Sequence, residues 1–264
     1  PNSSPILLIG AGKMGQAMLK GWLASGFSSI QVFEKFPSDA LKSLPIELNP
    51  STVIVDENQT IILGVKPQNY RDVLDEHQAN IHPDAMVVSI LAGISIDAMQ
   101  IALPGRCIVR AMPNTPVTIG QGLTALCAVE DISNSHKIFA TNLMQAVGEV
   151  VWVDNEAMID AVTAVSGSGP AYLFHFVEAL TTAAIDIGFA PDMAEIFARK
   201  TIIGSAALLD NSGEKAAQLR ENVTSEGGTT QAALEVLMAE PSMQSIVLRA
   251  VKAAKKRSEE LSKI

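Results

Sequence analysis

An α/β fold, with a mostly parallel sheet on the N-terminal side and an all-helical domain after it, is predicted by three observations. The chain opens on an apolar run, Ile6 to Ile9, followed at once by Gly10, Gly12 and Gly15 in Gly-x-Gly-x-x-Gly spacing. Six further apolar runs follow up to Val153, several of them separated by helical patterns. From Met158 the strand signals stop and Ala-rich helical periods take over. The first two observations predict a Rossmann-type doubly wound sheet over residues 1–157; the third predicts a helical domain over residues 158–264.

The glycine turn carries the most information. Gly10 permits the tight turn, Gly12 lets the backbone approach a pyrophosphate, and Gly15 lets the helix pack closely on the strand. The amphipathic stretch Lys13–Ser25 is the helix, and its N-terminus offers free N–H groups and partial positive charge to phosphates. The next run, Ile30–Phe33, ends in Glu34, nineteen residues after Gly15, where an acid can bond an adenosine ribose. A glycine turn that merely packs is the competing explanation; strand, turn, helix, strand and acid in one register favour a nucleotide site. Apolar runs at Ile61–Val65, Met86–Leu91, Cys107–Met112, Leu123–Val129 and Val150–Val153 follow, with helical patterns at Asn69–Asn80, Ser95–Leu103 and Ser133–Ala146. Strands this apolar belong to a sheet covered on both faces. Pro45–Asn58 is ambiguous.

The later helices are expected at Ala171–Ile187, Asp192–Leu209, Lys215–Glu221, Thr229–Met238 and Ser242–Leu261, punctuated by Gly188, Gly213 and Pro241. Their apolar faces are wide, as with Phe174, Val177, Ala184 and Ile185. A helical unit of about a hundred residues has trouble burying that surface alone, so self-association as a homodimer is expected through this domain. The basic run Lys252–Arg257 fits a solvated helix end that complements the dipole.

Bulk properties exclude several classes. A net charge of −9 disfavours nonspecific binding to nucleic acid or to an anionic membrane, while leaving small anionic ligands open. The apolar runs fall well short of the ~20 residues a membrane span needs. No basic leader precedes the first strand, so a cytoplasmic location is the default expectation. Cys107 and Cys127 lack a Cys-x-x-Cys partner, and His77, His82, His136 and His175 show no ligand spacing, so neither a metal site nor a disulfide framework is expected.

Four later segments bear on chemistry. Gly64-Val65-Lys66-Pro67 closes an apolar run, where ligands of open α/β sheets sit; Lys66 is either turned to the cofactor or a surface lysine before a helix start, and spacing does not choose. Arg110-Ala-Met112-Pro113-Asn114-Thr-Pro116 is stiffened by two prolines and is either a nicotinamide wall or a rigid turn. Ser166–Ala171, between two helical stretches, fits close helix packing; it lacks the Gly-x-Ser-x-Gly pattern and the strand that a nucleophile elbow requires. Val223-Thr224-Ser225-Glu226-Gly227-Gly228-Thr229-Thr230 clusters four hydroxyls where a helix begins, near Gly228 or Thr229, a mouth suited to a carboxylate. One N-cap needs one hydroxyl, not four. Together the segments predict a dehydrogenase or reductase. No histidine or lysine is clearly placed as a proton donor, which suits reduction of a protonated imine better than that of a carbonyl.

With these residues in view, the whole chain resembles the pyrroline-5-carboxylate reductase family. The resemblance rests on the Gly10–Gly15 fingerprint, Val65-Lys66-Pro67, the Arg110–Pro116 loop, Ser166–Ala171 and above all Val223–Thr230. It implies reduction of 1-pyrroline-5-carboxylate to L-proline by hydride transfer from NADPH or NADH, the last step of proline biosynthesis. It implies cofactor contacts at Gly10, Ala11, Gly12, Lys13, Met14, Gly15, Glu34, Lys35, Val65, Lys66, Pro67, Met112, Pro113 and Asn114. Substrate contacts are implied at Val223, Ser225, Gly227, Gly228, Thr229 and Thr230, with the Thr230 hydroxyl bonding the ring nitrogen as the catalytic group. Helical domains of such enzymes interlock in dimers, and some stack dimers into decamers. The chain departs from the family in carrying Glu226 where proline is usual. Glu34 suits NADH, whereas the adjacent Lys35 is able to bind a 2′-phosphate, so NADPH is expected to be accepted rather than excluded. The β-hydroxyacid dehydrogenases share the domain order, but Leu173 and Phe176 stand where that group carries lysine and asparagine. A nucleotide-sensing protein without turnover is the alternative of another class, and the carboxylate-suited mouth argues against it.

Overall fold

The computed structural model describes residues 4–129 and 131–262. Contacts divide the chain into two compact units: residues up to Ser168 together with those from Ala254 onward, and Gly169–Ala253. In the first unit β1 (Ile6–Ile9), β2 (Ile30–Phe33), β3 (Glu47–Leu48), β4 (Thr60–Leu63), β5 (Met86–Ser89), β6 (Cys107–Met112), β7 (Gly122–Ala128) and β8 (Gly148–Trp152) form one sheet. Its order is β3-β2-β1-β4-β5-β6-β7-β8. Neighbours run parallel, except that β6 and β7 are antiparallel.

Helices α1 (Lys13–Ala24), α2 (Asp39–Lys42), α3 (Tyr70–His77), α4 (Ile96–Ala102), α5 (Asn134–Gln145) and α6 (Ala157–Val162) cover this sheet. Every residue of β1, β4 and β5 is buried, because alternate side chains enter different cores. Ile6 and Leu8 pack with Met18, Leu19 and Trp22 of α1; Leu7 and Ile9 pack with Tyr70 and Leu74 of α3 and with Ile96 and Met99 of α4. Each such side chain contributes roughly 1.5–3 kcal/mol of burial. The Trp22 indole N–H donates to the Leu143 carbonyl at 2.9 Å, which ties α1 to α5. Gly10 has φ +90°, and a Cβ there would lie 2.6 Å from the Val65 nitrogen; one on Gly15 would lie 2.8 Å from the Gly10 carbonyl oxygen. The glycine turn is therefore fixed by packing between β1, α1 and the end of β4.

Several details differ from the sequence expectation. Pro45–Asn58 contains β3, two residues held by pairing with β2. Asn69–Asn80 is a helix flanked by 3-10 turns at Pro67–Asn69 and Gln78–Asn80. Ser166–Ala171 does lie between two helical stretches, but only Ser168 falls outside both. Thr163–Gly167 is a π-helical turn closed by the Ser168 N–H donating to the Thr163 carbonyl at 2.8 Å, and it runs from α6 towards the next helix.

The second unit holds α7 (Gly169–Asp186), α8 (Pro191–Ser212), α9 (Ala216–Asn222), α10 (Thr229–Met238) and the start of α11 (Met243–Leu261). Phe189, in the connection after α7, meets Phe197 of α8 edge to face at 5.3 Å. No residue of α7, α9 or α10 is buried, and Phe174, at 61% exposed, and Phe197, at 55%, present large apolar faces. The last turns of α11 belong to the first unit. There the Ser258 hydroxyl donates to Asp160 at 2.5 Å, and Leu261 lies so close to Gly93 that a Cβ on the glycine would sit 3.1 Å from it.

Candidate active site

A cleft of about 650 Å³ opens at the carboxyl ends of β1, β2 and β4, where the strand order reverses. Gly10, Gly12, Glu34, Lys35, Val65 and Lys66, named from the sequence, line it together. The other residues of the same segments support it. Ala11 is buried, Gly15 is buried beneath the Gly10 carbonyl, and Met14 packs against the core. Lys13 is exposed on the first turn of α1, and Pro67 opens the 3-10 turn after Lys66. Phe33, Phe36, Asn49, Asn69, Val73 and His77 also line the cleft and carry no motif that sequence reasoning could have used.

The cleft fits a dinucleotide. A Cβ on Gly12 would meet nothing within 4 Å, so that face of the turn is open. The N-terminus of α1 has no side-chain cap and no acid in its first turn, which leaves its N–H groups and positive end for an anion. Glu34 is held firmly. Its carboxylate accepts the Ala11 N–H at 2.8 Å and the Phe36 N–H at 3.0 Å. Its own N–H donates to Asn49 Oδ1 at 2.9 Å, and its carbonyl accepts from Asn49 Nδ2 at 3.0 Å. Lys35 sits over the Phe36 ring, 5.8 Å from its centre, and Lys66 is exposed at the cleft wall. His77 stacks on Phe33 at 4.2 Å, and burial pushes its pKa below the ordinary value.

At the end of β6, Arg110 is 3% exposed and pairs with Glu156 at 2.7 Å; the same carboxylate oxygen accepts the Ile96 N–H at 2.8 Å. Met112 ends the strand, and Pro113 is buried. Asn114 accepts the Leu123 N–H at 2.9 Å and donates to the Ser166 hydroxyl at 3.1 Å. Its amide fastens the loop to β7 and to the π-helical turn. Glu156 escaped sequence reasoning, since an isolated acid gives no spacing signal; Ser166 is named from the sequence within Ser166–Ala171, but not as a partner of Asn114. Cys107 and Cys127 are free thiols whose pKa values burial raises, Cys107 to about 11, so neither is a reactive nucleophile at neutral pH.

In the second unit, α9 hands over to α10 through Val223–Gly228. Gly228 is the N-cap of α10 and no side chain caps it. Gly227 has φ +67°, and a Cβ on Gly228 would lie 2.5 Å from Ser225 Oγ, so both glycines are needed for this tight approach. Thr229 and Thr230 form the first turn, Val223 is 63% exposed, and Glu226 is exposed. The expectation of four hydroxyls around free N–H groups needs correction. The Thr224 hydroxyl donates to the Arg220 carbonyl at 2.6 Å, and the Gly227 N–H is taken by Gln231 Oε1 at 2.7 Å. Ser225, Thr229 and Thr230 remain beside an uncapped helix mouth.

A family model described as pyrroline-5-carboxylate reductase dimerisation matches residues 156–261, and one described as NADP oxidoreductase, coenzyme F420-dependent, matches residues 5–93. The pyrroline-5-carboxylate reductase of Pasteurella multocida is 36% identical over 270 residues, covering 98% of each chain. That of Vibrio alginolyticus is 37% identical over 268 residues, with the same coverage. The solved structure of a pyrroline-5-carboxylate reductase from Coxiella burnetii matches with a TM-score of 0.89 at 33% identity, over 99% of this chain and 100% of that one. Among the described residues no cluster of His, Cys, Asp or Glu could hold a metal ion, and no helix is long and apolar enough to cross a membrane.

Proposed function

The chain belongs to the pyrroline-5-carboxylate reductase family, and from that premise we propose that it reduces 1-pyrroline-5-carboxylate to L-proline with NADH or NADPH. The reduced nicotinamide, when bound, supplies a hydride to the carbon of the C=N bond. Functionally, residues 1–157 hold the cofactor and residues 158–264 hold the substrate and self-associate. The turn Gly10–Gly15 receives the pyrophosphate, Glu34 and Lys35 take the adenosine ribose, and Val65, Lys66, Pro67, Met112, Pro113 and Asn114 flank the rest of the cofactor. Ser225 and Thr229 hold the substrate carboxylate, and Val223, Gly227 and Gly228 shape the turn around it. The Thr230 hydroxyl bonds the ring nitrogen, which keeps the electron pair of the former C=N bond and carries the proton of the iminium. No alkoxide forms, so no acid is needed to protonate one.

The observation that carries the substrate assignment is the uncapped N-terminus of α10, with Gly228 at its cap and Ser225 pressed against it. The exposed apolar faces of α7 and α8 support a homodimer, with a decamer of stacked dimers as the finer assembly and the cytoplasm as its location. The test is oxidation of NADH and of NADPH by the purified protein with 1-pyrroline-5-carboxylate. Substrate-dependent oxidation and proline as product are expected; folded protein that oxidises neither cofactor above background refutes the proposal.

A further inference from the structure

We propose that Asn49 is a positioning residue for cofactor choice, acting through Glu34; this rests on the cofactor cleft described above. β3 ends at Leu48, opposite Val32, and the Asn49 N–H still donates to the Val32 carbonyl at 2.8 Å. Beyond that point the main-chain ladder stops. Among the described residues Asn49 is the one non-glycine with positive φ, 48°. Asparagine tolerates this left-handed conformation better than most residues do. The turn brings its side-chain amide alongside Glu34, where it does what another strand residue would do. Its Oδ1 takes the Glu34 N–H at 2.9 Å and its Nδ2 serves the Glu34 carbonyl at 3.0 Å. Glu34 is thereby fixed at both main-chain groups, while its carboxylate spans to the Ala11 and Phe36 N–H groups.

This arrangement bears on selectivity. A 2′-phosphate carries roughly −2 charge, and a carboxylate in its place repels it unless the carboxylate can swing aside. The four hydrogen bonds resist that movement, and two of the four come from Asn49. Without the amide, the backbone of Glu34 is free to shift, the acid can turn away, and Lys35 is left as the nearest charge. Asn49 therefore raises the preference for a free ribose without touching the reacting atoms.

The experiment is calorimetric titration of the full chain with ADP-ribose and with 2′-phospho-ADP-ribose, so that the readout is independent of turnover. The unaltered protein should favour ADP-ribose. Asn49→Gly keeps the left-handed backbone and removes the amide; the preference should fall roughly fivefold or more, through tighter binding of the phosphorylated probe. In a Glu34→Ala background the same substitution should leave the preference where Glu34→Ala has put it, since coupled residues are not additive. If Asn49→Gly does not fold, Asn49→Asp, which also tolerates the left-handed backbone but has no Nδ2 donor for the Glu34 carbonyl, gives the comparison. An unchanged preference, or equal loss of both probes, overturns the role of Asn49 and leaves the cleft assignment standing. Binding of neither probe by the unaltered protein overturns both.

Discussion

Replacing Glu156 by alanine strips the counter-charge from a buried cation. The Arg110 side chain is 4% exposed and lies 2.7 Å from the Glu156 carboxylate, which is 27% exposed. The same oxygen accepts the N–H of Ile96, the first residue of α4. In Glu156→Ala the guanidinium stays buried without a partner, and a helix-terminal N–H loses its acceptor. Breaking a buried pair in this way costs about 3–5 kcal/mol; water reaches the glutamate side, which places the effect near about 3 kcal/mol. For a chain of this length that corresponds to roughly 6–12 °C in Tm. Glu156→Gln keeps an acceptor for both donors and loses only the charge, so about half that shift is expected. Scanning calorimetry on the parent and both variants reads the difference. An alanine variant melting within about 1 °C of the parent would refute the claim that this pair anchors β6 and α4; equal shifts in the two variants would show that the charge is irrelevant.

Thr230→Ala should lower turnover about tenfold to a hundredfold, the equivalent of roughly 1–3 kcal/mol for one lost hydrogen bond, with a smaller change in cofactor affinity. Ser225→Ala should instead raise KM, because a carboxylate anchor acts in ground and transition states alike; unchanged turnover in the first variant removes Thr230 from catalysis. Val177→Asp places a charge on the half-buried face of α7 and should yield monomer or unfolded protein in sedimentation, whereas an intact dimer refutes that interface. Burial lowers the His77 pKa below its ordinary 6.5, so the unfolded chain takes up the proton first as the pH falls. The stability contributed by keeping His77 neutral is full above that pH and is lost on acidification below it. His77→Phe should make the decline in denaturant midpoint below pH 6.5 shallower; an equally steep decline would exclude His77 as a contributor.

The first βαβ unit was legible because three signals coincide there: an apolar run buried on both faces, glycines demanded by close approach, and a helix of clear period. The cleft residues carried by those motifs were legible for the same reason. Phe36, Asn49 and His77 were not, since each reaches the cleft through tertiary packing rather than through local spacing. β3 hid within Pro45–Asn58 because two residues have no periodicity; Gln31, whose side chain bonds Glu47 and the Thr52 carbonyl, helps to hold that segment. The antiparallel direction of β7 could not be read from an apolar run, which looks the same in either sense. At Val223–Thr230 the helix start was correct, but hydroxyl type does not reveal direction. Thr224 turns back to α9, and Gln231, four residues beyond Gly227, supplies the acceptor that the segment itself lacks.

The course of α11 has a consequence for the order in which the chain is made. β1 to β8 leave the ribosome before any of the helical unit, and Ser258 and Leu261 emerge after it. Asp160 and the turn at Gly93 therefore wait for these partners until the whole helical unit, Gly169–Ala253, has been made. A deletion that removes residues from Ala254 onward, or a fusion that disturbs them, should loosen the sheet unit rather than the helices that immediately precede them in sequence.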